Sequence, residues 1–319
     1  MKKPLILFTL LFLIFHFGCA DRENYTLAPS NNNLTVSELS GSISGTLFQN
    51  KSPYYITGNI KVDSSNSLVI EPGVKLLFHD STYFEIHGSL QSVGKSYSPI
   101  IFTSYDKKWR GIRVINSSKP VSIRFAIIEN VFITASDTTG YGGISIINSS
   151  ATIQNSIIQN NHSNFGGGVS ITDANVVIKN NILRNNEAVF YGGAILTEES
   201  SGEIINNTFY KNGCLSYGGG LVLVDPLQTS IQNNIFYKNT SQIWDPRISI
   251  ISGDSVNYKI KYNFMPYGSN MDPQFISEDD LHLKVYSPCI NAGDPNESYN
   301  DIDGSRNDQG AYGGPSGDW

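Results

Sequence analysis

The chain has 319 residues, a formal net charge of −6 and only 16% charged residues, against roughly 25% in an average globular protein. With 22 Lys and Arg against 28 Asp and Glu there is no basic excess to hold a phosphate backbone, which excludes nucleic acid as a partner. Its 17 Tyr and 16 Phe exclude a disordered chain, and three Cys are too few for a disulfide scaffold of this length.

The first segment reads as a targeting signal. Lys2 and Lys3 precede an apolar run from Leu5 to Phe17, which as a helix spans roughly 20 Å, short of a hydrocarbon core of about 30 Å. Residues 1–18 are therefore expected to be a secretory signal peptide. Two cleavage chemistries are open. Gly18-Cys19 resembles a bacterial lipobox, although His16 and Phe17 stand where such boxes carry an aliphatic and a small residue. A lipid on Cys19 would make the protein an outer-membrane or cell-surface lipoprotein, its membrane contact being that lipid. Cleavage after Ala20 would make it secreted. Residues 19–40 then form a polar tether.

Internal repeats follow from about residue 121. Glycine pairs before apolar runs recur at Gly142-Gly143-Ile144, Gly167-Gly168-Val169, Gly192-Gly193-Ala194-Ile195 and Gly219-Gly220-Leu221. A second motif runs in phase with them: Ile153 to Asn160, Ile178 to Asn185, Ile204 to Lys211 and Ile231 to Lys238. Each unit holds β-branched runs of three to five residues bounded by Gly and Asn, and none holds a helical period. One such unit cannot bury its own apolar face, but stacked units can, each strand pairing with its copy about 4.8 Å above. The expected fold is all-β, a single-stranded right-handed parallel β-helix over residues 41–270.

Asn155, Asn180, Asn206 and Asn233 align at one bend, where Asn tolerates the left-handed conformation. An inward ladder of their amides is the reading that the period favours. The glycine pairs mark a second corner where a Cβ would not fit. Tyr141, Phe165, Phe190, Tyr191 and Tyr217 precede that corner, as a ring-on-ring ladder or as a sugar platform. Residues 41–115 carry looser turns of the same coil. Residues 34–55 are the candidate cap for its open edge.

Leu68-Val-Ile-Glu-Pro-Gly-Val74, Pro99-Ile-Ile-Phe-Thr-Ser104 and Trp109-Arg-Gly-Ile112 resemble the opening rungs of bacterial right-handed parallel β-helix repeat proteins of the pectin-lyase-like fold. Gly192-Gly-Ala-Ile195 resembles the repeat of polymorphic outer-membrane proteins. Asp272-Pro-Gln-Phe275, Ser287 to Gly293 and Asp301-Ile-Asp-Gly-Ser-Arg306 with Gly310-Ala-Tyr-Gly313 resemble the ending of choice-of-anchor Q proteins. Residues 271–319 are accordingly expected to be a closing segment. The resemblance implies a surface or secreted bacterial protein and leaves its activity open.

Catalysis on this fold needs carboxylates facing one point. The outward columns Arg124–Gln154–Lys179–Ile205–Gln232, Glu129–Gln159–Arg184–Tyr210–Tyr237 and Ser145–Ser170–Ile195–Val222–Ser249 gather none on neighbouring rungs. The turn residues Asp173, Glu198, Glu199 and Asp225 could still converge. Arg184, Tyr210, Lys211, Tyr237 and Lys238 should share one flank, where Tyr beside cations suits an acidic glycan. An ordinary solvated face is the plainer reading. Asp301, Asp303 and Asp308, with Gly304 for the turn, have an oxygen-rich spacing suggestive of Ca²⁺, without the Glu that ends an EF-hand loop. A capping loop held by Arg306 on an Asp is the favoured alternative. Cys214 and Cys289 read as buried thiols rather than a disulfide, and His79, His87, His162 and His282 have no metal spacing. The expected function is a non-catalytic surface module for binding or adhesion, its partner a polysaccharide or a surface protein. The runner-up is a polysaccharide lyase or glycoside hydrolase of the same fold, and a structural spacer is third.

Overall fold

The computed structural model describes residues 37–106, 108–134, 141–267 and 271–319; the signal segment, Cys19 and the tether as far as residue 36 lie outside them. Among the described residues there is no α-helix. Strands follow one another around a coil, and each pairs in parallel with its copy on the next rung. One wall runs from Lys75–Phe78 to Ile235–Tyr237, a second from Phe84–Ile86 to Ile248–Ile250, and a third from Gly45–Leu47 to Tyr258–Lys261. A narrow fourth wall, His162–Phe165, Glu187–Tyr191, Gly213–Cys214 and Thr240–Ser241, widens the later rungs.

The period of two explains the walls. On the first, Phe102, Ile128, Ile158, Leu183, Phe209 and Phe236 stack inward in register and are almost wholly buried, each contributing roughly 1.5–3 kcal/mol. Phe209 and Phe236 stack at 4.4 Å. Their neighbours point outward and form the column Glu129, Gln159, Arg184, Tyr210, Tyr237, as the repeat implies.

The bends are single left-handed residues in three columns. One is Asn155, Asn180, Asn206 and Asn233. A second is Asn130, Asn160, Asn185, Lys211 and Lys238. The third is Asn116, Asn148, Asp173, Glu199 and Asp225. The left-handed conformation expected at Asn155, Asn180, Asn206 and Asn233 is present, but the inward amide ladder belongs to the residue that follows each of them. Asn181, Asn207, Asn234 and Asn263 pass amide hydrogen bonds from rung to rung at 2.9–3.0 Å. Asn161, Asn186, Asn212 and Asn239 form a parallel ladder one corner further on, all at 3.0 Å. The αL residue turns its side chain outward, so the next residue is the first that can point into the coil.

At the glycine corner a Cβ on Gly193 would lie 2.4 Å from the carbonyl oxygens of both Gly213 and Gly219, so the close approach there requires glycine. The register differs by one residue from the glycine-pair alignment: Ala194 occupies the place of Gly168 and Gly220, and Leu196, not Ile195, continues the column of Ser145 and Ser170. At the N-terminal end, Ser37–Ser42 already pairs in parallel with Tyr54–Val62, and Gly45–Leu47 with Ser67–Ile70. The described part of the expected cap is thus the first rung of the coil.

The C-terminal segment meets the last rung of the coil, where Gln309 donates to the Tyr262 carbonyl at 2.7 Å, but it does more than cover that end. It runs back along the flank, up the column of αL asparagines. Asn233 accepts from the Asp294 backbone at 2.9 Å, Asn206 donates to the carbonyls of Asp308 and Gly310, Asn180 to those of Ala311 and Gly313, and Asn155 to that of Ser316 at 2.7 Å. Phe275, Leu281, Cys289 and Ala311 pack on Ile182, Tyr210 and Ile235 in a second apolar cluster outside the coil.

Candidate functional site

The structure brings Arg184, Tyr210, Lys211, Tyr237 and Lys238 together on the first wall and its adjoining corner, but it covers most of them. Tyr210 is buried, with its ring and that of Tyr237 meeting Phe275 edge-on. Phe275 and Leu283 pair as the ends of a small antiparallel turn whose tip carries Glu278. The Glu278 carboxylate lies 2.8 Å from Lys211, 3.6 Å from Lys238 and 3.3 Å from the Tyr210 hydroxyl. The hydrogen bond and charge of Lys211 hold it below the usual carboxylate range. Arg184 donates to Gln159 at 2.8 Å and to the Asp279 carbonyl at 3.4 Å. The exposed glycan face expected for these five residues is therefore largely occupied by the chain itself.

Tyr237 and Lys238 remain open on their other side. With Asn239, Asp245, Pro246, Arg247, Pro266 and Tyr267 they line a cleft of about 680 Å³. Arg247 forms its back wall. It is held by an ion pair to Asp245 and by the Met265 and Pro266 carbonyls, and its guanidinium lies 3.6 Å over the Tyr267 ring. Burial works to raise the Asp245 carboxyl, but the bonds and charge of Arg247 outweigh it and hold the group low. Burial, then Asp272, pushes the Tyr237 hydroxyl up. Tyr267 is 83% exposed, so the cleft offers a ring and a cation to solvent, while the Asn239 amide behind them is taken up by the inward ladder. Tyr267 lies outside the repeat columns, and only the chain's return past Pro266 places it beside Tyr237.

The aromatic column is a run of ring contacts, edge-on at its two ends and tilted between. Tyr141–Phe165, Phe165–Phe190, Tyr191–Tyr217 and Tyr217–Trp244 have centroids 5.0, 5.2, 5.2 and 5.3 Å apart. Each ring meets a neighbour, as in a packing ladder, while Phe190 and Trp244 stay 43% and 47% exposed. Trp244 extends it one rung beyond the expected members.

The turn carboxylates do share a corner. Asp173, Glu199 and Asp225 are the αL residues of three successive rungs, and Asp173 and Glu199 line a shallow groove of about 610 Å³ with Asn116 and Asn148. Glu198, the last residue of Ile195–Glu198, is exposed and does not belong to that column.

Asp301, Asp303 and Asp308 do not fit a Ca²⁺ site. Asp301 accepts from the backbone of Asp308 and Gly314, Asp303 from the backbone and hydroxyl of Ser305, and Asp308 from the Asn291 backbone at 2.6 Å. Among the described residues no group of three or more His, Cys, Asp or Glu could hold a metal ion. Arg306 also departs from expectation, donating to the Gly293 carbonyl at 2.8 Å and not to an Asp. Burial, then the charges of Asp301 and Asp303, push the Asp308 carboxyl up to about 6, against the pull of the Asn291 N–H. A carboxyl raised in the fold contributes stability below its unfolded value near 3.8, and that contribution is lost as the pH rises through about 6. Asp308→Asn keeps the acceptor for Asn291 without the charge. It is expected to raise the melting temperature by a few degrees at pH 7.5 and to leave it unchanged at pH 3.5. Equal shifts at the two pH values would contradict this.

Cys214 and Cys289 are buried free thiols, as expected. Burial raises both, Cys289 to about 12. His79, His87, His162 and His282 each lie within 4 Å of one carboxylate, Asp106, Glu85, Glu187 and Asp280 respectively.

The sequence matches the right handed beta helix region family over residues 110–263. No curated protein and no solved structure matches the chain. Parallel pairing on every wall, the stacked corner columns and this match together make the chain a right-handed parallel β-helix repeat protein.

Proposed function

We propose that this β-helix is an exported surface module, tethered by a lipid on Cys19, that binds a polysaccharide without cleaving it. The observation that supports the reading is the cleft beside Tyr237 and Lys238. Its open ring and ammonium suit the apolar face and hydroxyls of a sugar, while its one carboxylate, Asp245, is bonded to Arg247. A glycosidase needs two carboxyl groups flanking the bond.

The test is binding and new chain ends measured in the same samples, with full-length protein and a panel of neutral and acidic polysaccharides, with and without Ca²⁺. Saturable binding without product is expected. A stacked ring is worth about 1 kcal/mol, so Tyr267→Ala should weaken binding about fivefold. Product formation would overturn the reading. It would favour the lyase or hydrolase alternative, for which the Asp173–Glu199–Asp225 column is the specific observation. Silence in both assays would favour a surface-protein partner or a spacer.

A further inference from the structure

The flank above the cleft carries three cations on successive rungs, two of which share one carboxylate. Arg184 stands in register with Tyr210 and Tyr237, and Lys211 and Lys238 directly follow those tyrosines. Adjacent rungs are about 4.8 Å apart, so the cations form a short ladder parallel to the axis. Glu278 bridges Lys211 and Lys238, and Arg184 has no ion pair among the described residues. The tip that delivers Glu278 reads Ser277-Glu-Asp-Asp280, an acidic peptide laid on cations and tyrosines.

That tip is held mostly by its own bonds. Ile276 donates to the His282 carbonyl, Ser277 to that of Asp280, and the Asp279 and Asp280 amides to the Ser277 hydroxyl. Asp280 is committed to His282 at 2.6 Å. The apolar anchors, Phe275 and Leu281, lie on either side of the tip. The tip's polar contacts with the coil are the Glu278 side chain, 65% exposed, and the long bond from Arg184 to the Asp279 carbonyl. Solvent-exposed ion pairs are weak and exchange readily. The tip can therefore lift while its anchors stay packed.

We propose that Glu278 is an internal occupant of an anion ladder formed by Arg184, Lys211 and Lys238, and that a polymer with a carboxylate on each sugar residue displaces the 276–280 tip to bind there. The proposal rests on the polysaccharide-binding reading and names its ligand as acidic. Lys238 lines the cleft as well as the ladder, so a chain seated at Tyr237 would continue upward onto Lys211 and Arg184.

The test compares full-length wild type, Glu278→Gln and Asp279→Asn on alginate, with dextran as the uncharged probe. Asp279→Asn makes the same change in net charge at a neighbouring position whose side chain makes no ion pair with the coil. Glu278→Gln should bind alginate about tenfold more tightly than wild type, Asp279→Asn less than twofold, and neither should change dextran binding. Lys211→Gln together with Lys238→Gln should abolish the gain. If wild type binds alginate and Glu278→Gln binds no better, or Asp279→Asn gains as much, the internal-occupant proposal falls while the binding reading stands. If only Glu278→Gln binds alginate, the occlusion is stronger than stated and the proposal holds. If no variant binds any polysaccharide, both readings fall.

Discussion

Asn207→Ala should lower the free energy of unfolding by about 4 kcal/mol, measured by urea denaturation. Asn207 is wholly buried. Its side-chain oxygen accepts the backbone N–H and the side-chain amide of Asn181, both at 3.0 Å, and its own amide donates to the Ile178 carbonyl at 2.8 Å and to Asn234 at 3.0 Å. Truncation takes the partner from the Asn181 N–H and from the Ile178 carbonyl and weakens two further bonds inside the coil. A buried polar group without a partner costs roughly 1–3 kcal/mol, and the side chain also leaves a cavity. Asn175→Ala, at an exposed strand position, is the control and should change stability by less than about 0.5 kcal/mol. Because a solenoid's rungs contact only their neighbours, the loss should fall on the rungs around 207, and the melt should broaden or split. A change below about 1 kcal/mol would show that water or a shifted neighbour satisfies the ladder.

The coil itself was legible because its cause is periodic. Strand, bend and glycine recur in the chain at the interval at which they stack in space, so the outward column from Glu129 to Tyr237 could be written down from the repeat and is found in register. Which of two adjacent asparagines points inward was not legible. Asn206 and Asn207 are the same residue type, and what separates them is the left-handed φ of the first, a backbone property that turns its amide out and leaves the next to enter the coil. The covered flank was hidden for a different reason. Glu278 and Lys211 are 67 positions apart and belong to no repeat, so no spacing announces their contact. Fold information lay in the period, whereas the state of the site depended on a non-repeating segment folded back over the repeats.

That segment makes the second large effect. Asn206→Gly should raise the alkylation rate of Cys289 about 100-fold and leave that of Cys214 unchanged. Asn206 donates to Asn307, to the Asp308 carbonyl and to the Gly310 carbonyl, at 3.3, 2.9 and 3.2 Å, and accepts from Asn307 and Asn233. Three such bonds at roughly 1 kcal/mol each amount to about a hundredfold in an opening equilibrium. Glycine accepts the positive φ of 52° at this corner, so the rung itself stays relaxed and the loss falls on the docked segment. Cys289 belongs to that segment and is fully buried against the coil, and its thiol is pushed up to about 12, so it reacts only when the segment lifts. Cys214 is buried in the coil and reports on the coil alone. Asn206→Ala provides the contrast, because a Cβ in the left-handed region costs roughly 1–2 kcal/mol and strains the rung as well, so that Cys214 should begin to react with Cys289. Mass spectrometry of the two alkylated peptides reads both rates in one sample. If Cys289 and Cys214 respond together in the glycine variant, the segment is a cooperative part of the coil and cannot lift on its own. If Cys289 alone responds, the segment is a separately opening strap, and the flank beneath it can be uncovered while the rungs remain folded.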